Sequence, residues 1–182
     1  MTDNQQPLTD DEINAVASQL QRLPRGYLPL PIFWSVANLV TTPTMEVAPL
    51  RNTADGLEIY LTQRPENDPH WPSGWHIPGT VIRSTDEEGS LASGFARVLK
   101  DELGEGIRYV GEPVQVTTKF WDVTRGRELD LVHYIEVEVI DDTKLTGQFF
   151  PVNSLPESTL EHHKIMIPEI VAAYEAAKSS AS

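Results

Sequence analysis

Trp75-His76-Ile77-Pro78-Gly79-Thr80, followed seventeen positions after Thr80 by Arg97-Val98-Leu99-Lys100-Asp101-Glu102-Leu103-Gly104, is the stretch whose reading decides the fold. Pro78-Gly79 marks a turn, because proline presets its own φ and glycine tolerates the tight backbone that follows. Residues 90–103 then carry the strongest helical signal of the chain. Leu91, Phe95, Val98 and Leu99 recur at helical spacing, and Gly104 supplies the stop. Asp101 and Glu102 stand at the C-terminal end of that helix, where negative charge opposes the macrodipole. Acids kept in an unfavourable place point to a role other than solvation.

Outward from this stretch, the chain reads as strands before it, strands after it, and a helix at each end. Upstream, residues 32–40, 45–50 and 57–64 read as strands, the last two joined by a turn containing Asp55-Gly56. Residues 65–79 form a long loop with four prolines and Trp71 and Trp75, an aromatic content that favours order. Downstream, 114–121 and 129–140 read as strands, the second alternating with period two, and 147–152 as a short one. Residues 157–178 predict a closing helix that Pro168 kinks or splits. Near the N-terminus Thr9-Asp10-Asp11-Glu12 forms a capping box, and Ile13, Val16, Ala17 and Leu20 follow as an apolar stripe. That helix is expected to be a packing or homodimer-contact appendage. The expected organisation is an N-terminal helical extension over 1–31, one domain over 32–178 and a small-residue tail over 179–182.

Composition narrows the function. The chain has 182 residues, 40% of them hydrophobic, which suits one domain with a real core. Its formal net charge is −13, which argues against a nucleic-acid polymer as partner, since such binding needs Lys and Arg against phosphates. No apolar run approaches the length of a membrane span, so no membrane partner is expected. There is no cysteine, so disulfides and thiolate chemistry are excluded, and the N-terminal residues do not read as a secretory signal. The expected location is the cytoplasm.

The segment from Trp75 to Gly104 resembles the Nudix box, G-x5-E-x7-R-E-U-x-E-E-x-G-U, where U is a bulky aliphatic residue. Arg97, Leu99, Glu102 and Gly104 match it, and Asp101 stands for the first glutamate of the pair. The flanks fit as well: Leu61-Thr62-Gln63-Arg64 is similar to the family strand ending in arginine, and Phe149-Phe150-Pro151-Val152 to the segment before the closing helix. Two acidic positions of the box are lost, to Gly89 and Val98, and the loop Asp86-Glu87-Glu88-Gly89 is lengthened. In its eroded box the chain has some resemblance to the GDP-mannose mannosyl hydrolase branch, although residues 144–148 offer no histidine.

The resemblance implies an α/β (α+β) fold, an α/β/α sandwich with a mixed sheet between helices. It implies Mg²⁺ or Mn²⁺ as cofactor and hydrolysis of a nucleoside diphosphate linked to another moiety, a phosphate-containing small molecule. The implied metal ligands are Glu102, Asp101 and the Gly79 carbonyl, with Glu88 expected to approach from the loop in place of a lost acid. Arg97 would orient carboxylates, Glu102 would serve catalysis, and Arg64 and Trp75 would bind substrate. The lost acids leave a second expectation open, a Nudix-fold module that binds a nucleotide without turning it over. For His162-His163 a zinc site lacks further ligands at suitable spacing.

Overall fold

The computed structural model describes residues 6–180; the extreme N-terminal residues and positions 181–182 of the expected tail lie outside them. In chain order the elements are α1 (Asp10–Leu20), α2 (Leu30–Ala37), β1 (Thr42–Thr53), β2 (Gly56–Gln63), β3 (Trp75–His76), β4 (Gly79–Val81), α3 (Ala92–Arg97) continuing as a π-helix (Val98–Leu103), β5 (Ile107–Val123), β6 (Gly126–Val139), a 3₁₀ turn (Asp142–Lys144), β7 (Gln148–Pro151) and α4 (Glu161–Ser180). The seven strands form one mixed sheet in the order β3-β2-β1-β6-β5, with β4 beside β1 and β7 beside β2. β1 and β6 are parallel, and all other pairs are antiparallel.

The sheet has a helix on each side. Met166, Ile167, Ile170 and Tyr174 of α4 pack on Ala48, Leu50, Ile59, Leu61, Val132 and Tyr134. On the opposite face Val98 and Leu103 pack on Met45, Val47, Tyr60, Ile135 and Val137, with Phe95 beside them. β1 is therefore buried on both faces, as a central strand must be. The expected α/β/α sandwich is what the structure shows.

Three local expectations change. Residues 32–40, read as a strand, are mostly helix: Pro31 sits in the first turn of α2, where its missing N–H costs nothing, and α2 crosses the expected boundary at 31/32. The helix over 90–103 is α-helical only to Arg97; from Val98 onward it widens to π geometry. Residues 157–178 give one helix, α4, with Pro168 inside it and Ser179 and Ser180 in its last turn. The capping box at α1 forms as expected, but the helix buries no residue, and Ile13, Val16 and Leu20 stay about half exposed.

Candidate functional site

The two parallel central strands change character along their length, and that change makes the site. On the α4 side, β1 runs Thr42, Thr44, Glu46, then Ala48 and Leu50, while β6 beside it runs Glu128, Asp130, then Val132 and Tyr134. The apolar halves carry α4. The polar halves project beyond it, and Thr42, Thr44, Glu46 and Glu128 form the floor of a cavity of about 560 Å³. α2 contributes an apolar wall with Phe33, Val36 and Ala37, and Trp71 adds an aromatic one. The lining also brings Arg64, His76, Gly79, Glu102, Arg125 and His163.

Arg64 directly follows β2 and is fixed by Asp68. Its Nε and Nη2 donate to Asp68 Oδ2 at 2.9 and 2.6 Å, and Asp68 Oδ1 accepts the His70 and Trp71 amides at 3.0 and 2.9 Å. Partial burial works against the charge of Asp68, yet these bonds outweigh it and hold its carboxyl below the usual range. One carboxylate thus positions both a cationic side chain and the tryptophan loop. Arg125, in the tight β5–β6 turn, donates to Glu128 and lies over Trp71 and Phe33, 5.3 and 5.9 Å from their ring centroids.

Three histidines line up beside the arginines, all neutral. Burial, then the Arg64 charge, holds His76 down to about 4, and burial beside Arg125 does the same for His162. His163 is lowered further by complete burial and by its histidine neighbours. His163 Nδ1 accepts the Ile77 amide at 2.9 Å. A neutral imidazole with Nδ1 accepting carries its proton on Nε2, so His163 is a hydrogen-bond donor there.

Glu102 is the acid of the box that reaches this cavity. Burial raises its pKa, while Arg64 and the Thr62 hydroxyl, at 3.5 Å, work in the other direction. Asp101, next to it, is exposed and absent from the lining. Glu88 is exposed on its loop. Arg97 lies outside the lining and forms a two-pronged pair with Asp86, whose pKa that bond depresses; it also donates to the Val81 carbonyl at 3.0 Å. Trp75 packs edge-on against Phe150, 4.9 Å between centroids, and it is Trp71 that faces the cavity. The structure therefore brings Arg64, Gly79 and Glu102 together, and leaves Asp101, Glu88, Arg97 and Trp75 outside.

For Asp101 the reason lies in the helix. Side chains four apart share a face on an α-helix, but a π-helix moves the repeat closer to five. Val98 and Leu103, five apart, are both fully buried against the sheet. Among the described residues no group of three or more His, Cys, Asp or Glu side chains could hold a metal ion. As placed, the expected set around Glu102 does not fit Mg²⁺ or Mn²⁺: Asp101 and Glu88 stand exposed outside the cavity, while the Arg64 guanidinium and the Thr62 hydroxyl bear on Glu102 itself.

Sequence reasoning missed Glu46, Glu128, Asp130 and Arg125. Glu46 is the most unusual of them: 8% exposed, with Oε2 lacking any hydrogen-bond partner. Burial first, then Asp130 and Glu128, pushes its pKa well above the ordinary value. Asp130 is fully buried, accepts from the Thr44 hydroxyl, and is pushed up to about 6 by burial. The one available signal was polar residues at every second position of two strands otherwise rich in aliphatics.

No protein-family model matches the chain, and no curated protein matches it. Solved structures do. The Nudix domain of Shewanella oneidensis NrtR, in complex with ADP ribose, is 18% identical and superposes with a TM-score of 0.58 over 92% of this chain and 99% of that one. A MutT Nudix hydrolase from Burkholderia pseudomallei is 15% identical, with a TM-score of 0.54 over 72% and 98%. The Ap4A hydrolase of C. elegans is 13% identical, with a TM-score of 0.50 over 74% and 98%. With these likenesses and the sandwich described above, the chain is a protein of the Nudix fold.

Proposed function

We propose that the cavity binds a phosphate-containing nucleotide derivative, and that binding rather than metal-assisted chemistry is what its residues are arranged for. The observation that carries this reading is Arg64. A guanidinium tied along one edge to Asp68 lies at the rim of a cavity walled by aromatic rings, with Arg125 and the neutral donor His163 in the same lining. Guanidinium donors match phosphate oxygens, and the cavity volume suits a small molecule. A chain of net charge −13 needs such a local reversal of sign to hold an anion. ADP ribose, bound by one of the fold relatives, is the natural first ligand to try. Calorimetric titration with ADP ribose and ADP, in buffer without divalent cations, is expected to show saturable binding that Arg64→Ala weakens about tenfold or more. No binding of either nucleotide would end this reading.

Hydrolysis is the second reading, favoured by one observation: Glu102 is carried into the cavity by the same segment that matches the Nudix box, on a fold shared with hydrolases. Chromatography of nucleotide sugars, dinucleotides and nucleoside triphosphates, incubated with and without Mg²⁺ or Mn²⁺, tests it. Turnover that disappears in Glu102→Gln would establish hydrolysis. Bound but unchanged ligand across the panel would exclude it.

A further inference from the structure

We propose that α1 is the surface through which two copies of this chain pair: the helix lies antiparallel against the same helix of a second copy, apolar stripe to apolar stripe, about a two-fold axis.

The argument begins with what α1 lacks. It has 11 residues and buries none of them. Leu8, Ile13, Val16 and Leu20 are 57%, 50%, 50% and 47% exposed. A helix this short is marginal on propensity alone, and helices in proteins draw most of their stability from packing an apolar face. α1 has such a face: Ile13, Val16, Ala17 and Leu20 follow one another at helical spacing. The capping box between Thr9 and Glu12 fixes where the helix starts, but it covers none of that face. Among the described residues nothing buries the stripe, so its cover comes from another molecule.

Charge decides which molecule. α1 opens on Asp10, Asp11 and Glu12, no Lys or Arg precedes Arg22, and no acid follows Glu12 until Glu46. The helix is therefore acidic at its start and is followed by Arg22 and Arg25. Among the described residues these two donate to the Gln19 side chain and the Ser84 carbonyl, not to acids. The midpoint of the stripe falls between Val16 and Ala17. A two-fold axis there sets Ile13 against the partner's Leu20, Val16 against the partner's Ala17, and Asp11 against the partner's Arg22. Each contact is then made twice, as a self-complementary interface requires. A parallel pair would instead set Asp10 and Asp11 against their own copies, like charge against like. An antiparallel second copy matches α1 in both stripe and sign. The pairing also reaches the cavity: Gly26, Tyr27, Leu28 and Leu30, just after α1, line it, so the dimer anchors the segment that forms one of its walls.

Sedimentation equilibrium of the full chain, up to about 500 µM, is expected to show a monomer–dimer equilibrium with a Kd of about 10–100 µM, as suits a small interface. Val16→Asp, at the centre of the stripe, is expected to raise that Kd about tenfold or more. It should leave the melting temperature of the dilute protein unchanged, because Val16 belongs to neither core cluster. The chain has no cysteine, so introduced ones report the orientation. Asp11→Cys and Arg22→Cys together should give a disulfide-linked dimer in glutathione buffer, and Asp11→Cys alone should not. The two positions lie about 16 Å apart along their own helix, too far for a bridge within one chain. A chain that stays monomeric at about 500 µM, or a dimer that Val16→Asp leaves intact, would overturn the proposal. Cross-linking through Asp11→Cys alone, or none in the double variant, would overturn the antiparallel pairing.

Discussion

The carboxyl of Glu46 fills the space that a Cβ on Gly79 would occupy. The two residues are register partners across β1 and β4, and β4 reaches its place because Gly79 has no side chain. Gly79→Ala must therefore displace a buried carboxyl or part the strands, and overpacking of this kind costs about 1–3 kcal/mol. Shortening the partner with Glu46→Ala should remove most of that penalty. A double-mutant cycle read by urea unfolding is expected to give a coupling of about 1 kcal/mol or more. Additive effects of the two substitutions would refute the contact.

Glutamate at position 98 would complete the Nudix pattern on paper, yet the structure predicts that it harms the protein. Val98 is fully buried among Met45, Val47 and Ile135 on the far side of the sheet from the cavity. Val98→Glu puts an ionisable group into that core with nothing to pair with, at a cost of about 3 kcal/mol or more. The expected result is a large drop in unfolding midpoint and no gain of turnover. A stable Val98→Glu protein that hydrolyses nucleotides would show that the π-helix repositions this side chain.

Asp130 should make the protein less stable as pH rises through the weakly acidic range. Its ordinary value is 3.8, and in the fold burial pushes it up to about 6. Below 3.8 both folded and unfolded chains hold the proton. Between the two values the unfolded chain ionises while the folded one does not, so native stability falls, and the full cost is present above 6. Asp130→Asn keeps a partner for the Thr44 hydroxyl and removes the titration. Its stability relative to wild type should improve by roughly 2–3 kcal/mol between pH 4 and pH 7. A constant difference over that range would contradict the assignment.

Asp86 behaves in the opposite way. The hydrogen bonds from Arg97 hold its pKa below the ordinary 3.8, so the stability it contributes is present above that value and is lost as pH falls through the folded-state pKa. The pair is mostly shielded, with side-chain exposures of 16% and 11%, and Asp86 also accepts the Arg83 amide at 2.8 Å. Asp86→Asn is expected to cost about 1–2 kcal/mol at pH 7 and progressively less in strong acid. A thermal-melt series from pH 7 to pH 2 checks this. Equal losses at both ends would mean that charge plays no part.

Period and punctuation were enough to locate β1, β2, β5, β6, β7 and α4, because side-chain spacing and turn chemistry are local properties. They were not enough for residues 32–40, where an apolar run as short as α2 fits strand or helix equally, and only its seat over the cavity decides. Nor did they show that Leu129 would be 37% exposed while Asp130 is fully buried. The alternation in β6 is plain in the sequence, but alternation does not say which face looks inward.

The sequence by itself therefore determined the sandwich, the turn at Pro78-Gly79, the helix that follows it and the candidacy of Arg64 and Glu102. The turn and the helix follow from spacing along one segment, which is written in the chain, while the sandwich and the candidacy of Arg64 and Glu102 came from the resemblance of the stretch from Trp75 to Gly104 and its flanks to the Nudix box. The tertiary structure alone decided that Arg97 pairs with Asp86, that Asp101 and Glu88 stand away from the cavity, and that Glu46, Arg125 and His163 belong to it. Those residues come from β1, the β5–β6 turn and α4, and their meeting depends on strand register and on a π-helical turn that shifts which side chains share a face. Register and helix winding are settled by burial of the whole sheet between its helices, a cooperative outcome that no single segment encodes.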